Sequence, residues 1–457
     1  MGSVTVRGGE TGAAYTAHIE SIAAGGAGVA RLDGRVVFIP RTAPGDSVRF
    51  RIAADKGKYL RGDLDEVLEA GPSRREPPCP HWAECGGCPL QQISPESQTD
   101  AKRRIFLDAL ARIGKFELPV PLEVSDSAFG EYAYRLRARF QVKENAIGFF
   151  APGTRRLISL ERCLLVEESI AEALGEIRRL LQKDPAAREI ESVEVTALGP
   201  GSGDGVGLFL YPPGARDGKK GALPRQARRA WDAFSRACGW PVAAAGDRQP
   251  GEPPAWRATY EIENPELEYA PLRFNVSPES FIQPNRTGNR ALVQSVLEMA
   301  ASAGGGTVVD LFCGVGNFTV PLAARGRRIL GVENNPFAVQ DAESNGRSAD
   351  LNNARFLRRE AGSLSPQETL KALDGESPDL VLLDPPRRGA LEAISLVLAL
   401  RPRKIIYVSC NPATFARDAR EINGGGYRIG KALLVSMFPN TAHVETVTSW
   451  NLDRAPT

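Results

Sequence analysis

Asp310-Leu311-Phe312-Cys313-Gly314-Val315-Gly316-Asn317-Phe318 follows the β-branched run Thr307-Val308-Val309, and this stretch decides the fold. A short apolar run that breaks into Gly-x-Gly and then opens a helix reads as the first strand-to-helix turn of an open parallel sheet. Glycines there let the backbone approach a ligand, and the helix start offers free N–H groups. Working outward, Arg328 to Glu333, Asp379 to Asp384 and Lys404 to Ser409 are further buried-strand candidates, each followed by a helical stretch. Tyr427 to Met437 and His443 to Trp450 read as an antiparallel pair closing one edge. The alternation predicts a doubly wound α/β sheet from Thr307 onward.

Nineteen positions after Gly314, the next strand ends in Gly331-Val332-Glu333, where a carboxylate can take both hydroxyls of a ribose. Nucleotide binding follows. A dinucleotide dehydrogenase shares the glycine turn and the acidic residue, but its fingerprint wants a third glycine where this chain has Thr319 beside Pro321. A single-nucleoside pocket is therefore expected.

The strand Lys404 to Ser409 delivers Cys410 to the sheet edge that carries ligands in such folds, and Asn411-Pro412 opens the next helix. The positive end of the helix dipole predicts a thiolate of raised nucleophilicity there, the alternative being a small buried cysteine. Asp384-Pro385-Pro386-Arg387-Arg388-Gly389 reaches the same edge, with a carboxylate able to hold a cofactor amino group or the edge of a target base. Arg387 stands where amino-group methyltransferases carry an aromatic residue, which disfavours an exocyclic amine as target. Arg387 and Arg388 are candidates to meet phosphate or to be solvated. In Phe438-Pro439-Asn440-Thr441-Ala442-His443-Val444-Glu445, a carboxylate near Cys410 would serve as general base, while His443 and Glu445 read equally as surface groups.

The rest of the 457 residues asks for more than one core. Residues 13–70 read as a small β-barrel in which Val48, Phe50 and Ile52 alternate with Arg49 and Arg51, predicting a basic outer face or a solvated one. Three thiols, Cys79, Cys85 and Cys88, crowd into ten positions among seven cysteines, an odd number for disulfides; a metal or cluster site is the expectation. Ser94 to Phe116 has a helical pattern. Beyond Tyr132, Arg135, Arg137 and Arg139 alternate with apolar residues as a candidate phosphate platform. Gly199 to Pro254, rich in Gly and Pro and containing Gly218-Lys219-Lys220-Gly221, reads as loops around one short amphipathic helix near Ala227 to Ala237. A net charge of only +2 does not itself announce a nucleic-acid partner. No apolar run has the length of a membrane span, and Met1 to Tyr15 lacks the pattern of a secretory leader, so a cytoplasmic protein is expected.

Taken together, Ser280-Phe281-Ile282-Gln283-Pro284-Asn285, the Asp310 to Phe318 turn, Asp384 to Gly389, Val408-Ser409-Cys410-Asn411-Pro412-Ala413-Thr414 and Phe438 to Glu445 resemble, in the same order, the uracil-5 RNA methyltransferase family. The N-terminal barrel, with Gly25-Gly26-Ala27-Gly28-Val29-Ala30 and Phe38-Ile39-Pro40, resembles a TRAM domain, an OB-like RNA-binding module. The resemblance implies a Rossmann-like class I methyltransferase domain (266–457), the TRAM β-barrel (13–70) and between them a central α+β domain (71–265) carrying an iron-sulfur site. It implies S-adenosylmethionine as cofactor, held by Gln283, Phe312, Gly314, Asn317, Glu333, Glu360 and Asp384. It implies Cys410 as the nucleophile that attacks uracil C6, and Glu445 as the base for the C5 proton.

Cys79, Cys85, Cys88 and the distant Cys163 are similar to the ligands of family members with a [4Fe-4S] cluster; by chemistry alone zinc is also open. Cys238 and Cys313 are left as structural cysteines. The TRAM and iron-sulfur layout is most similar to that of the 23S rRNA enzymes, with tRNA the alternative substrate and a non-catalytic RNA-binding scaffold the alternative of another class. No membrane and no obligate protein partner is implied.

Overall fold

The computed structural model describes residues 13–125, 129–199, 205–214, 221–263, 271–304 and 306–453. The expected boundary at 265/266 and Gly218-Lys219-Lys220 of the glycine-lysine loop lie outside the described residues. The chain divides into two compact units, one made of residues up to Asp108 with 150–158 and 438–444, the other of the remainder. Among the described residues no helix is long and apolar enough to cross a membrane.

In the first unit, alternation does what the sequence implies. Strand Ser47–Asp55 turns Val48, Phe50 and Ile52 inward and Arg49, Arg51 outward. With Ala14–His18, Ser21–Ile22, Gly28–Leu32, Arg35–Ile39 and Tyr59–Glu69 it builds a six-stranded sheet around Ile19, Val37, Ile39, Val48, Phe50 and Leu60. Three arginines of the expected basic face are paired with carboxylates. Arg49 pairs with Glu66 at 2.6 Å and Arg51 with Asp65 at 2.9 Å, because the adjoining strand Tyr59–Glu69 supplies carboxylates, and Arg35 pairs with Asp55 at 2.6 Å.

The second unit holds the α/β sheet. Its strands are β1 (Thr307–Leu311), β2 (Arg328–Glu333), β3 (Ala354–Arg358), β4 (Leu380–Leu383), β5 (Lys404–Ser409), β6 (Tyr427–Val435) and β7 (Glu445–Leu452). They lie in the order β3-β2-β1-β4-β5-β7-β6, β1 to β5 parallel and β7 reversed, and Leu122–Val124 adds a parallel strand outside β6. Strands β1, β4 and β5 are buried along their whole length, as a sheet covered on both faces requires. The order turns back at β1 and β4, and such a switch point opens a crevice at the carboxyl ends of those strands.

The same unit contains a sheet with Arg137–Lys143, Ser192–Ala197, Val206–Tyr211 and Val242–Ala244 side by side. Two expectations fail in it. The Gly- and Pro-rich region contributes two strands besides its helix, Arg225–Cys238. Of the three arginines expected to make a phosphate platform, two are engaged by the protein: Arg137 bonds Ser280 O and Thr196 Oγ1, and Arg139 bonds Ser192 Oγ and lies 3.4 Å over the Tyr211 ring, while Arg135 Nε and Arg137 Nη2 are buried with no hydrogen-bond partner among the described residues. Neighbouring strands on the same face engage Arg137 and Arg139.

Candidate active site

After β1 the chain coils through three left-handed residues, Phe312 (φ 68°), Gly314 (φ 55°) and Gly316 (φ 84°). A side chain on Gly314 would meet nothing within 4 Å, so the turn faces open space and glycine is required by its dihedral rather than by crowding. The turn is tied to β2 twice. The N–H groups of Phe312 and Cys313 donate to Val332 O at 2.9 and 3.1 Å, and Gly314 N–H donates to Glu333 Oε2 at 3.1 Å. Glu333 Oε1 takes the N–H groups of Asn334 and Asn335, both at 2.7 Å. Its carboxylate is thus fixed at the strand end with lone pairs left for a diol.

Asn317 is held more firmly than its place in the motif suggests. Its Oδ1 accepts from Tyr260 Oη at 2.9 Å and from Asn289 Nδ2 at 2.8 Å, while its Nδ2 donates to Asn289 Oδ1 at 2.8 Å. Tyr260 is buried and stacks on Phe274 with centroids 4.8 Å apart. Neither Tyr260 nor Asn289 was singled out in the sequence, where an isolated aromatic and a mid-helix amide carry no local signal. Gln283 lies half-buried just before Asn285, whose side chain caps the helix Arg286–Ala301 through Gly288 N–H and donates to Met437 O. Glu360 stands beyond the end of β3, paired with Arg388 at 3.0 Å.

At the end of β5, Asn411 caps the helix Pro412–Gly424 and its amide holds Arg387 O, as does Thr414 Oγ1. The Asp384 to Gly389 loop is thereby fastened to the helix that follows Cys410. Strand β7 supplies the third component. Its register against β5 runs from Lys404 opposite Asn451 to Ser409 opposite Thr446, so Cys410 and Glu445 are the next residues along from the last pair of the ladder. Cys410 is half-buried, Glu445 is buried, and Asp384 interacts electrostatically with both.

The electrostatics correct the sequence expectation for the thiol. Burial, then Glu445 and Asp384, push the Cys410 thiol up to about 12, with Arg387 acting in the opposite direction. Desolvation and two carboxylates outweigh the half-charge of a helix end. Burial and Asp384 likewise hold Glu445 well above the usual carboxylate range, and burial with Asp310 and Glu333 raises Asp384 to about 8. Asp310, raised to about 7 mainly by burial, keeps one carboxylate oxygen without a partner. A crevice whose carboxylates suppress one another's ionisation is built for a cation, and a sulfonium that also carries an ammonium group and a ribose fits these residues.

The comparisons agree with this geometry. A family model described as tRNA (Uracil-5-)-methyltransferase matches residues 259–450, and a TRAM domain model matches residues 10–64. The chain is 33% identical over 440 residues to the 23S rRNA (uracil(1939)-C(5))-methyltransferase RlmD of Pseudomonas putida, covering 94% of this chain and 92% of that one. It belongs to the RNA (uracil-5-)-methyltransferase family. An RNA methyltransferase of Aquifex aeolicus, described as uncharacterized, is similarly 33% identical, over 94% of this chain and 96% of its own. The fold of the crystallised Pyrococcus abyssi tRNA (uracil-54, C5)-methyltransferase, solved with S-adenosyl-L-homocysteine, superposes with a TM-score of 0.69 at 23% identity, covering 95% and 99% of the two chains. The uracil-5 methyltransferase chain therefore has a class I fold with an N-terminal TRAM domain.

No disulfide joins any of the seven cysteines of this methyltransferase; six are half-buried and Cys313 is buried. Cys85 Sγ accepts the Gly87 N–H at 3.4 Å, and burial raises its thiol, with the charge of Cys79 adding to the effect. Among the described residues no three His, Cys, Asp or Glu side chains are gathered to hold a metal ion. His443 packs its ring against Phe438, centroids 5.6 Å apart.

Proposed function

We propose that this protein methylates C5 of a uridine in 23S rRNA with S-adenosylmethionine, through a covalent adduct on Cys410. Support for the cofactor comes from the glycine turn, the fixed Glu333 carboxylate and the acidic crevice. Gln283, Phe312, Gly314, Asn317, Glu333, Glu360 and Asp384 are the proposed contacts, with Asn317 acting from within its amide pair. When bound, the sulfonium supplies an electrophilic methyl group, and its positive charge lowers the pKa values of the surrounding acids together.

The residues then act in sequence. Cys410 Sγ, once deprotonated, forms a bond to C6, and the electron pair of the C5–C6 bond moves into the enolate. C5 takes the methyl group as the sulfonium carbon–sulfur bond breaks. Glu445 removes the C5 proton, the sulfur–C6 bond breaks, and the thiolate leaves. The observation that supports this reading is the electrostatic interaction of the half-buried Cys410 thiol with the buried Glu445 carboxylate, which follows on from the β5–β7 register. A fluorine at C5 leaves no proton for Glu445, so RNA containing 5-fluorouridine should accumulate a covalent complex with the wild type and none with Cys410→Ala. An adduct surviving in Cys410→Ala would overturn the assignment.

The preference for rRNA rests on the relatives at 33% identity; methylation of tRNA transcripts alone, with rRNA fragments untouched, would remove it. The same reading assigns residues 13–70 to RNA binding, 71–265 to the central domain and 266–457 to catalysis, in a cytoplasmic protein. It assigns Cys79, Cys85, Cys88 and Cys163 to a [4Fe-4S] cluster with a folding role. This assignment rests on the likeness of the four cysteines to the cluster ligands of family members, and no catalytic step passes through it. Iron and acid-labile sulfide analysis of anaerobically purified protein should give four of each per chain; zinc in their place would refute the cluster.

A further inference from the structure

Arg49, Arg51, Arg139 and Arg388, offered by the sequence as basic or phosphate-facing groups, already have protein partners, and this directs attention to exposed arginines that have none among the described residues. Helix Arg225–Cys238 is anchored by one side. Ala227, Ala230 and Trp231 are buried, and the Trp231 indole N–H donates to Ala187 O at 3.1 Å. At about 100° per residue, Arg225, Arg229 and Arg236 fall within about 40° of one another on the opposite side, spaced about 6 and 10 Å along the axis. All three are exposed, and none has an ion-pair or hydrogen-bond partner among the described residues. Asp232 shares their face as its one acidic group.

A cavity of about 550 Å³ opens at the start of this helix, lined by Arg225, Arg228, Arg229, Leu223 and Asp247. Arg228 is spent on Asp247, which leaves Arg225 and Arg229 at the cavity wall without an ion-pair partner among the described residues. Three like charges held in line on a rigid helix repel one another in the free protein. They are relieved by a polyanion whose charges also come in a row.

We infer that the outer face of this helix is an interaction surface for the phosphate backbone of the RNA substrate, remote in sequence from the methyl-transfer residues. The inference rests on the RNA methyltransferase reading above. Phosphate contacts set position and affinity without reading bases, so the surface holds the RNA rather than selecting the uridine.

The test uses the full-length protein and a labelled rRNA fragment, with equilibrium binding measured across a salt series and methylation measured separately. R225Q/R229Q/R236Q should bind about tenfold or more weakly near physiological salt, and its log–log salt slope should be shallower by about 2, at about 0.7 per lost single-strand contact. KM for RNA should rise with kcat unchanged. R225K/R229K/R236K keeps the charges and should stay close to wild type, because phosphate is met by charge here and not by a fork of donors. Wild-type affinity and slope in the glutamine variant overturn the inference, and so does an equal loss in the lysine variant. The two levels of the reading separate cleanly. Slope-dependent binding without methylation keeps the surface and sinks the activity, whereas methylation with an unchanged KM in the glutamine variant does the reverse.

Discussion

Cys410 shows how far position and reactivity can diverge. Its place at the end of β5 is legible from a buried run followed by Asn-Pro, but its ionisation is set by Glu445 and Asp384, which approach from other strands. At pH 9 the rate of Cys410 alkylation by iodoacetamide reads the thiolate fraction directly. Asp384→Asn removes a negative neighbour and should speed it, whereas Arg387→Gln removes a positive one and should slow it; identical rates in both variants would refute the electrostatic account. Lys102 makes a second residue-scale case. Its ammonium is buried, donates to Phe438 O at 2.8 Å, and burial lowers its pKa from 10.5 to about 7. Below about pH 7 both folded and unfolded chains carry the proton and the desolvation cost is fully felt. Between there and 10.5 the unfolded chain binds more protons than the folded one, so stability climbs with pH. Lys102→Met should raise the midpoint of thermal unfolding at pH 6, by the equivalent of a few kcal/mol, and flatten that climb. A variant melting lower at pH 6 would contradict this.

At the scale of elements, β1, β2, β4 and β5 are readable because strands covered on both faces must be apolar throughout. β3 escaped notice because it lies at the edge, and Ala354–Arg358 is only half covered, with arginines at two of five positions. Strand Val206–Tyr211 escaped because glycine and proline dominate its surroundings while its own six residues are apolar. The glycine turn was legible as a motif, but the brace behind it was not. Tyr260 and Asn289 reach Asn317 from a hairpin and a helix that precede it by 57 and 28 positions. Tyr260→Phe deletes one hydrogen bond of that brace and should cost about 1 kcal/mol of stability. It should also weaken S-adenosylhomocysteine several-fold by calorimetry while leaving kcat nearly unchanged. A fall in kcat at constant affinity would place Tyr260 in the chemistry instead.

For the whole molecule, pairing decides which charges remain available to a partner. Arginines alternating along a strand look basic in sequence, but the next strand folds back and brings carboxylates to meet them, as Asp65 and Glu66 do for Arg51 and Arg49. R49Q/R51Q should therefore change the salt slope of RNA binding by less than 1, against about 2 for the helix variant. A larger change would show that the RNA displaces these pairs. The reversed direction of β7 carries a consequence of another kind. Because Glu445 is the first residue of a strand laddered on both sides, to Val435 and through Thr446 to Ser409, its position is dictated by its neighbours and not by the length of the segment that leads into it. That segment is held by contacts of its own, at Met437 O by Asn285 and at Phe438 O by Lys102, so strand register and loop anchoring are set separately. A single residue inserted inside the strand turns the carboxylate to the far side of the sheet and leaves the sulfur facing a threonine or a valine.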